Sequence, residues 1–209
     1  MIVLKRIENN LIESYNKMAE ERDKLHISEW KKRERDVFKR FILEKESKNL
    51  LEVGAGTGQD SLYFQQLGLE VTSVDLSPEM VKLCIAKGLH AKEMSVFDLE
   101  FPDDIFDVVW SLNCLLHIMK EDLPRALHEI KRVLKPDGIF YMGVYGGKDS
   151  QGIWEKDTYN PKRFFSFYPD EKIRDVVEKV FKVEYINIIP KNIIGGEREL
   201  SFQSMILKK

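Results

Sequence analysis

The sequence comprises 209 residues, of which 43% are hydrophobic, and its formal net charge is -2. This apolar content is enough to bury one sizeable core, so we expect a single domain. A charge so close to zero argues against a nucleic-acid partner, because proteins that bind nucleic acids usually present a basic face. The two cysteines, Cys84 and Cys114, have no metal-ligand spacing, and no apolar run reaches membrane-spanning length. We therefore expect a reduced, cytoplasmic protein that holds no metal and does not enter a membrane.

Two helices are predicted before the first strand. Over residues 1–26, apolar side chains recur with the spacing of one helix face, at Ile7, Leu11, Tyr15 and Met18. A second helix is predicted over 28–46, and the dense charges at 31–36 predict a solvent-exposed face on it. We assign both helices, residues 1–48, to the same domain as the region 49–209.

Alternate glycines follow the first predicted strand, which covers residues 49–53. They stand at Gly54, Gly56 and Gly58, where they allow the backbone to bend sharply and to approach a ligand closely. A helix is predicted to begin directly after them, over 60–66, so its unpaired N–H groups face the same place. We therefore expect a ligand in this loop.

The remaining chain continues the alternation of strands and helices. Strands are predicted over 70–75, 90–95, 107–112, 138–145, 181–189 and 200–207. The helices between them are predicted over 77–87, 122–134 and 170–180, with a loop over 146–168. Ser77 is expected to cap its helix, and the residues Lys135-Pro136-Asp137-Gly138 are expected to form the turn after the next one. Gly195-Gly196 is expected to join the last two strands.

Strands that alternate with helices imply right-handed crossovers and a parallel sheet covered on both faces. The last two strands have no predicted helix between them, so they should pair antiparallel. We therefore predict a doubly wound, Rossmann-like α/β fold. Its mostly parallel seven-stranded sheet should have helices on both faces and an antiparallel last strand.

The glycine spacing discriminates between nucleotide ligands, which bind at the carboxyl ends of the strands in such a sheet. A nicotinamide or flavin dinucleotide is disfavoured because Gly58 comes one residue early for the Gly-x-Gly-x-x-Gly fingerprint. The carboxylate of Glu52 would also repel a pyrophosphate. A phosphate-loop nucleotidase is excluded, since neither Gly-Lys-Ser nor Gly-Lys-Thr follows the glycines.

Two carboxylates at strand ends favour a ligand without phosphate. Glu52 can help to hold a cationic amino group, and Asp75 can accept hydrogen bonds from both hydroxyls of a ribose. A ligand with a ribose, an amino-acid end and no phosphate fits these groups. We infer that the ligand is S-adenosylmethionine.

The region from Asn49 to Leu207 resembles a class I S-adenosylmethionine-dependent methyltransferase. Four motifs carry the resemblance, and they occur in the order and at the spacing of that family. They are Leu51-Glu52-Val53-Gly54-Ala55-Gly56-Thr57-Gly58, Val74-Asp75-Leu76-Ser77-Pro78-Glu79-Met80, Phe106-Asp107-Val108-Val109-Trp110-Ser111 and Val133-Leu134-Lys135-Pro136-Asp137-Gly138.

The resemblance implies the residues that contact the cofactor. From the methionine part to the ribose and adenine, they are Glu52, Gly54, Ala55, Gly56, Ser111, Asp75, Leu76 and Met80. Many relatives have an aspartate after the third strand that accepts from the adenine amino group, but Ser95 occupies that position here. We expect Ser95 and the backbone N–H of Val96 at the adenine edge, with Asp98 as the alternative if the register differs. Tyr15 resembles a residue of the family's N-terminal lid.

Four residues are candidates for the acceptor site. His117 follows the fourth strand, where the acceptor should approach, and it is either a general base, a residue that orients the acceptor or a structural histidine. The following aromatic loop supplies Tyr145, Trp154 and Arg163, and an arginine there can hold a carboxylate or a phosphate.

The expected activity is methyl transfer to a small molecule by direct displacement, in which the protein positions the reactants and excludes water. Relatives that methylate base amino groups or glutamine carry Asn/Asp-Pro-Pro-aromatic after the fourth strand, and Ser111-Leu112-Asn113-Cys114 replaces it here. The alternatives are a non-catalytic S-adenosylmethionine-binding module and an RNA or protein methyltransferase. A nucleotide-linked oxidoreductase is less favoured. The sequence leaves the acceptor and the oligomeric state open.

Overall fold

The computed structural model describes residues 2–195 and 200–209. Its helices are α1 (Ile2–Asp23), α2 (Glu29–Glu44), α3 (Gln59–Gln66), α4 (Pro78–Ala86), α5 (Leu123–Val133), α6 (Asp170–Val177) and α7 (Lys191–Ile194). Its strands are β1 (Asn49–Val53), β2 (Glu70–Asp75), β3 (His90–Glu93), β4 (Phe106–Leu112), β5 (Leu134–Gly146), β6 (Ser150–Ile153), β7 (Phe164–Phe167), β8 (Lys182–Ile189) and β9 (Ser201–Lys208). None of the helices in these ranges is both long and apolar enough to cross a bilayer.

Seven strands form one sheet in the order β3-β2-β1-β4-β5-β9-β8. Neighbours from β3 to β5 pair in parallel, whereas β9 pairs antiparallel with both β5 and β8. The predicted Rossmann-like fold with an antiparallel last strand is therefore confirmed. The strand order reverses between β1 and β4, so the connections leave these two strands in opposite directions and a crevice opens at their carboxyl ends.

Both faces of the sheet carry a hydrophobic core, as the alternation of side chains along β4 shows. Val109 packs on the face covered by α5 and α6, whereas Trp110 packs on the face covered by α2 and α3. The ring of Trp110 stacks on that of Tyr141 with a centroid distance of 3.9 Å. Phe38 of α2 lies against both rings, at 5.3 and 5.6 Å. Helix α2 is thus anchored to the sheet by aromatic contacts.

The predicted solvent-exposed face of α2 is wrong for two residues of its charged run. Glu34 and Arg35 are buried, with 3% and 7% of their surface exposed. Glu34 Oε2 accepts hydrogen bonds from the Ser204 hydroxyl and from the Tyr141 hydroxyl, the latter at 3.2 Å. The Arg35 guanidinium donates to Asp60. The helix crosses the sheet at this point, so one turn of the charged run faces inward.

Several boundaries in the second half of the chain differ from the prediction, and helix α6 ends at Val177 instead of at residue 180. Helix α5 ends at Val133, and Leu134 pairs with Phe106 as the first residue of β5 instead of extending the apolar stripe of the helix. The predicted turn lies inside β5, where Asp137 has a left-handed φ of 62°. Helix α7 precedes Gly195, and the other half of the predicted glycine connection, Gly196, lies outside the described residues.

The segment 146–168, predicted as a loop, contains an antiparallel hairpin of β6 and β7. Phe165 and Phe167, two positions apart on β7, stack with a centroid distance of 5.6 Å. Trp154 packs edge-on against both rings, at 5.2 and 5.3 Å. Aromatic side chains favour strands when they pack on a neighbouring surface, which explains the hairpin. The β7 strand contacts the 3-10 turn Leu115–His117, so the hairpin lies next to the carboxyl end of β4.

Replacing Glu34 by alanine should lower the free energy of unfolding by about 1–3 kcal/mol, because one of the two buried hydroxyl protons then loses its acceptor. Chemical denaturation measures this change. Glu44→Ala, on an exposed position of the same helix, is the matched control and should change stability by no more than about 0.5 kcal/mol. Equal losses of unfolding free energy in the two variants would contradict the role of Glu34 as a buried hydrogen-bond acceptor.

Candidate active site

A cavity of about 510 Å³ lies at the carboxyl ends of β1, β2 and β4. Helix α1, residues 25–31, the loop after β3, the segment after β4 and the β7 end of the hairpin also contribute to its wall. This volume is in the range of sites that bind small molecules and cofactors. Within the described residues, no group of three or more histidine, cysteine, aspartate or glutamate side chains is placed to hold a metal ion.

The glycine loop after β1 lines the cavity with backbone. Gly54 and Gly56 have left-handed φ values of 76° and 54°. A Cβ atom on Gly54 would lie 2.4 Å from the Cβ of Cys114, so only glycine lets this loop pack against the segment after β4. A Cβ atom on Gly56 would meet nothing within 4 Å. The backbone at Gly56 is therefore open to close approach by a ligand.

Asp75 joins the glycine loop to the start of α4. Its Oδ2 accepts from the Gly56 N–H at 2.8 Å, and its Oδ1 accepts from the Ser77 N–H at 2.9 Å. Ser77 itself caps α4 by accepting from the Met80 N–H at 3.2 Å. Burial raises the pKa of Asp75. Since each carboxylate oxygen has two acceptor positions, both oxygens of Asp75 can still accept from a ligand.

Glu52 is a buried carboxylate in the wall of the cavity. It accepts a hydrogen bond from the Ser61 hydroxyl, whose oxygen lies 2.6 Å from the Ser73 hydroxyl oxygen. Burial, together with the nearby Asp60, raises the pKa of Glu52 well above its usual value. A cation beside Glu52 would offset this destabilisation of the charged form.

The loop after β3 supplies a polar edge to the cavity. Ser95 and Val96 both line it, and the Val96 N–H makes no hydrogen bond within the described part of the chain. Asp98 is exposed and lies outside the cavity lining, so it does not replace Ser95. The Ser95 hydroxyl donates to Glu8 Oε1 of α1 at 3.0 Å.

A chain of hydrogen bonds crosses the opposite side of the cavity. The carbonyl oxygen of Phe164 can only accept, so Nδ1 of His117, 2.7 Å away, carries the proton. Nε2 of His117 therefore accepts from the Tyr15 hydroxyl at 2.7 Å. The Arg163 guanidinium donates to the Tyr15 oxygen at 3.0 Å and is held by two hydrogen bonds to Asp157, at 2.8 and 2.9 Å.

Tyr15 and His117, the two central groups of this hydrogen-bond chain, are neutral at neutral pH. Burial, with a further contribution from Arg163, lowers the pKa of His117 to about 3. Burial raises the pKa of Tyr15 above its usual value. His117 is thus a hydrogen-bond acceptor at Nε2, while its Nδ1 proton fixes the ring orientation.

Most of the residues predicted from the sequence line this one cavity. They are Tyr15, Glu52, Gly54, Ala55, Gly56, Asp75, Leu76, Ser95, Val96, His117, Tyr145 and Arg163. Three others lie elsewhere. Met80 is fully buried on the inner face of α4, Ser111 is buried within β4, and Trp154 packs against Phe165 and Phe167 of the hairpin.

Three further polar residues in the cavity wall were not predicted. Arg22 donates to the Tyr159 hydroxyl at 2.9 Å, and its buried Nε has no partner among the described residues. Asn113 has a left-handed φ of 57° and a buried, unpartnered Oδ1. Glu8 is the third. Glu8 and Arg22 lie seven residues before and after Tyr15, a spacing that places all three on one face of α1 and was a usable signal.

Residues 51–142 match the methyltransferase domain family, and this span includes the four motifs. The crystal structure of 1,6-didemethyltoxoflavin-N1-methyltransferase from Burkholderia thailandensis, with bound 1,6-didemethyltoxoflavin and S-adenosylhomocysteine, has the same fold. It aligns with a TM-score of 0.75 at 20% identity, over 99% of this chain and 90% of that chain. Residues 51–142 thus carry a methyltransferase domain, and the chain has the fold of class I S-adenosylmethionine-dependent methyltransferases.

Curated relatives of this methyltransferase family cover different parts of the chain. Phosphoethanolamine N-methyltransferase 2 of Caenorhabditis elegans is 25% identical over 172 residues, or 78% of this chain. Malonyl-acyl-carrier protein O-methyltransferase of Halorhodospira halophila is 33% identical over 124 residues, or 51% of this chain. The chain spans only 38% and 39% of the lengths of these two relatives.

The cavity fits S-adenosylmethionine, the cofactor of this methyltransferase family. The open backbone at Gly56 can pass beneath an extended ligand, and Asp75 has acceptor positions for ribose hydroxyls. Glu52 forms no ion pair among the described residues, and burial raises its pKa, so its charged form would be stabilised by the cationic amino group of the cofactor. The Val96 N–H is a free donor at the end where the adenine is expected.

Neutral, buried His117 should make stability depend on pH. Its pKa is lower in the folded chain than in the unfolded chain, so its contribution is complete above about pH 6.5 and falls by about 1.4 kcal/mol per unit as the pH drops toward 3. Denaturation at about pH 7.5 and pH 5 should therefore show a smaller pH-dependent loss in His117→Asn than in the original chain. His128→Asn, at an exposed position, is the control. The same loss in the His117 variant as in the original chain would contradict a buried neutral imidazole.

Proposed function

We propose that this chain transfers the methyl group of S-adenosylmethionine to a small-molecule acceptor. The observation that carries the proposal is that one cavity contains both the groups suited to the cofactor and the Tyr15–His117–Arg163 set. When bound, the cofactor supplies a methyl group already activated on a sulfonium, so the protein contributes position and exclusion of water. A cavity of about 510 Å³ that holds cofactor and acceptor together favours a small acceptor over RNA or protein.

On the cofactor side, each residue is assigned to one part of the ligand. Glu52 holds the amino group, Asp75 holds the ribose hydroxyls, and the glycine loop supports the methionine chain. Arg22 is assigned to the methionine carboxylate, because it lines the cavity without an ion pair among the described residues. The next residue, Asp23, is paired with Lys87, whose ammonium also donates to the Thr57 carbonyl of the glycine loop at 2.5 Å.

Arg22→Met should weaken S-adenosylhomocysteine binding by about tenfold or more, because a charge-assisted hydrogen bond contributes about 1.5–3 kcal/mol. Binding of 5′-methylthioadenosine, which lacks the amino-acid part, should not change. Calorimetry with both ligands measures the two effects. Arg33→Met, at an exposed position of α2, is the control. Equal weakening of both ligands by Arg22→Met would argue against the carboxylate assignment.

On the acceptor side, Tyr15 is assigned to the atom that receives the methyl group. The Tyr15 oxygen accepts from Arg163 and has a second lone pair, which can accept from an N–H or O–H of the acceptor. The Tyr15 oxygen, fixed by donation to Nε2 of His117 and by the hydrogen bond from Arg163, orients the nucleophile toward the methyl group. The low pKa of His117 makes it a poor proton acceptor, so the methylated product loses its proton to solvent. Tyr15 stands on α1, so this role also makes α1 the proposed lid of the site.

The curated relatives support a small or carrier-bound acceptor without naming it. By name, one methylates a nitrogen of phosphoethanolamine and the other an oxygen of malonyl-acyl-carrier protein. These acceptors differ in charge and in the atom that reacts. The acceptor of this chain is therefore assigned only to the class of small or carrier-bound molecules.

The proposal is tested in two steps. Calorimetry should detect binding of S-adenosylhomocysteine, and a metabolite extract incubated with methyl-labelled S-adenosylmethionine should then yield a labelled small molecule. No binding at millimolar ligand would reject the cofactor. Tight binding without transfer to any metabolite would favour the non-catalytic binding module, and label in RNA or protein would favour the polymer methyltransferases.

Tyr15→Phe should lower kcat by about 10²-fold, because a nucleophile that loses its positioning hydrogen bond is misplaced relative to the methyl group. The affinity for S-adenosylhomocysteine should change little, because the hydroxyl is assigned to the acceptor. Turnover of the labelled product and calorimetry measure the two quantities. Tyr63→Phe, whose hydroxyl donates to Asp36 outside the cavity lining, is the control. Unchanged kcat in Tyr15→Phe would remove Tyr15 from the mechanism.

A further inference from the structure

The adenine end of the cavity lacks a carboxylate from the sheet. Ser95 occupies the position after β3 where many relatives have an aspartate, and Asp98 is exposed and lies outside the cavity lining. Adenine presents a hydrogen-bond donor, the 6-amino group, beside an acceptor, the ring nitrogen N1. The Val96 N–H, which has no hydrogen-bond partner in residues 2–195 and 200–209, can donate to N1. A carboxylate partner for the 6-amino group would then come from another element.

Helix α1 supplies a carboxylate at this place. Glu8 lines the cavity, and its Oε1 lies 3.0 Å from the Ser95 hydroxyl oxygen. The other three carboxylates that line the cavity among the described residues are occupied differently. Glu52 binds Ser61, Asp60 pairs with Arg35, and Asp75 accepts from Gly56 and Ser77. Glu8 is thus the acidic residue beside Ser95 and Val96.

We propose that Glu8 of α1 recognises the adenine of the cofactor by accepting a hydrogen bond from its 6-amino group, while the Val96 N–H donates to N1. This inference rests on the proposed use of S-adenosylmethionine. The carboxylate that accepts from adenine therefore lies on α1, the helix that covers the site, and not on the loop after β3. Ser95 positions the carboxylate of Glu8 through its hydroxyl.

The spacing along α1 is consistent with this assignment. Glu8, Tyr15 and Arg22 are each seven residues apart, so their side chains share one helix face and span about 21 Å at 1.5 Å per residue. Glu8 lies at the adenine end, and Arg22 lies near the glycine loop. One face of α1 then contacts both ends of an extended cofactor, with Tyr15 between them. Cofactor binding and the seating of α1 are thereby coupled.

The test uses S-adenosylhomocysteine and S-inosylhomocysteine as ligands in calorimetry. Inosine has an oxygen in place of the 6-amino group and a proton on N1, so it presents the opposite pattern to Glu8 and Val96. The original chain should bind the inosine analogue at least about 100-fold more weakly, because its polar groups would face mismatched partners. In Glu8→Gln, the amide N–H can turn toward the oxygen that replaces the 6-amino group of adenine. The preference of this variant for S-adenosylhomocysteine over S-inosylhomocysteine should therefore be about tenfold or more smaller than that of the original chain.

The preference for adenosine is a ratio within one protein sample, so a reduced folded fraction in Glu8→Gln does not affect it. Glu13→Gln is the matched control, because Glu13 lies on the same helix with an exposed side chain paired to Lys17 at 2.6 Å. If Glu8→Gln keeps the original ratio, or if Glu13→Gln lowers it equally, the assignment of Glu8 is overturned and the proposed function stands. If the original chain does not bind S-adenosylhomocysteine even at millimolar concentration, both the assignment of Glu8 and the proposed function are overturned.

Discussion

The reversal of strand order between β1 and β4 is the constraint on which the site depends. The connections from β1 run toward β3, and those from β4 run toward β5, so neither covers the carboxyl ends of this central pair. The loops after the two strands meet there at close range, and the lack of a side chain on Gly54 makes room for Cys114. Asp75, on the neighbouring strand, fixes the glycine loop by accepting from Gly56. The backbone at the base of the cavity is thus held in place before any ligand binds.

The charges of the cavity are arranged for a ligand that carries charges of both signs. Buried Glu52 and Asp75 have raised pKa values, so ionising them costs free energy that a nearby cation would offset. Arg22 is a cation with an unpartnered buried Nε. By contrast, Arg163 is already neutralised by Asp157, which leaves it to orient the Tyr15 hydroxyl. The amino and carboxylate groups of the proposed cofactor therefore complement Glu52 and Arg22, which have no ion-pair partner among the described residues, and the acceptor side stays close to neutral.

Much of the fold was predictable because its signals are local. The cap of Ser77 on α4, the run of strands and helices, and the antiparallel last strand all appear in the structure. The errors fall where tertiary packing overrides a local pattern. A run of charges in α2 looked solvent-exposed, but the aromatic contacts of Phe38 turn Glu34 toward the sheet. The hairpin over 146–168 forms because its aromatic residues pack on one another, which hydrophobic periodicity alone does not show.

The glycine loop and the carboxylates at the strand ends were predictable because each depends on residues adjacent in the chain. The resemblance also implied a lid at Tyr15, but the packing of α1 over the cavity is what places Glu8 beside Ser95 and the Tyr15 hydroxyl on His117. The fold also places Asn113 in the cavity lining and leaves Ser111 outside it. These outcomes depend on contacts between distant segments, and no spacing within one segment specifies where a distant helix will pack.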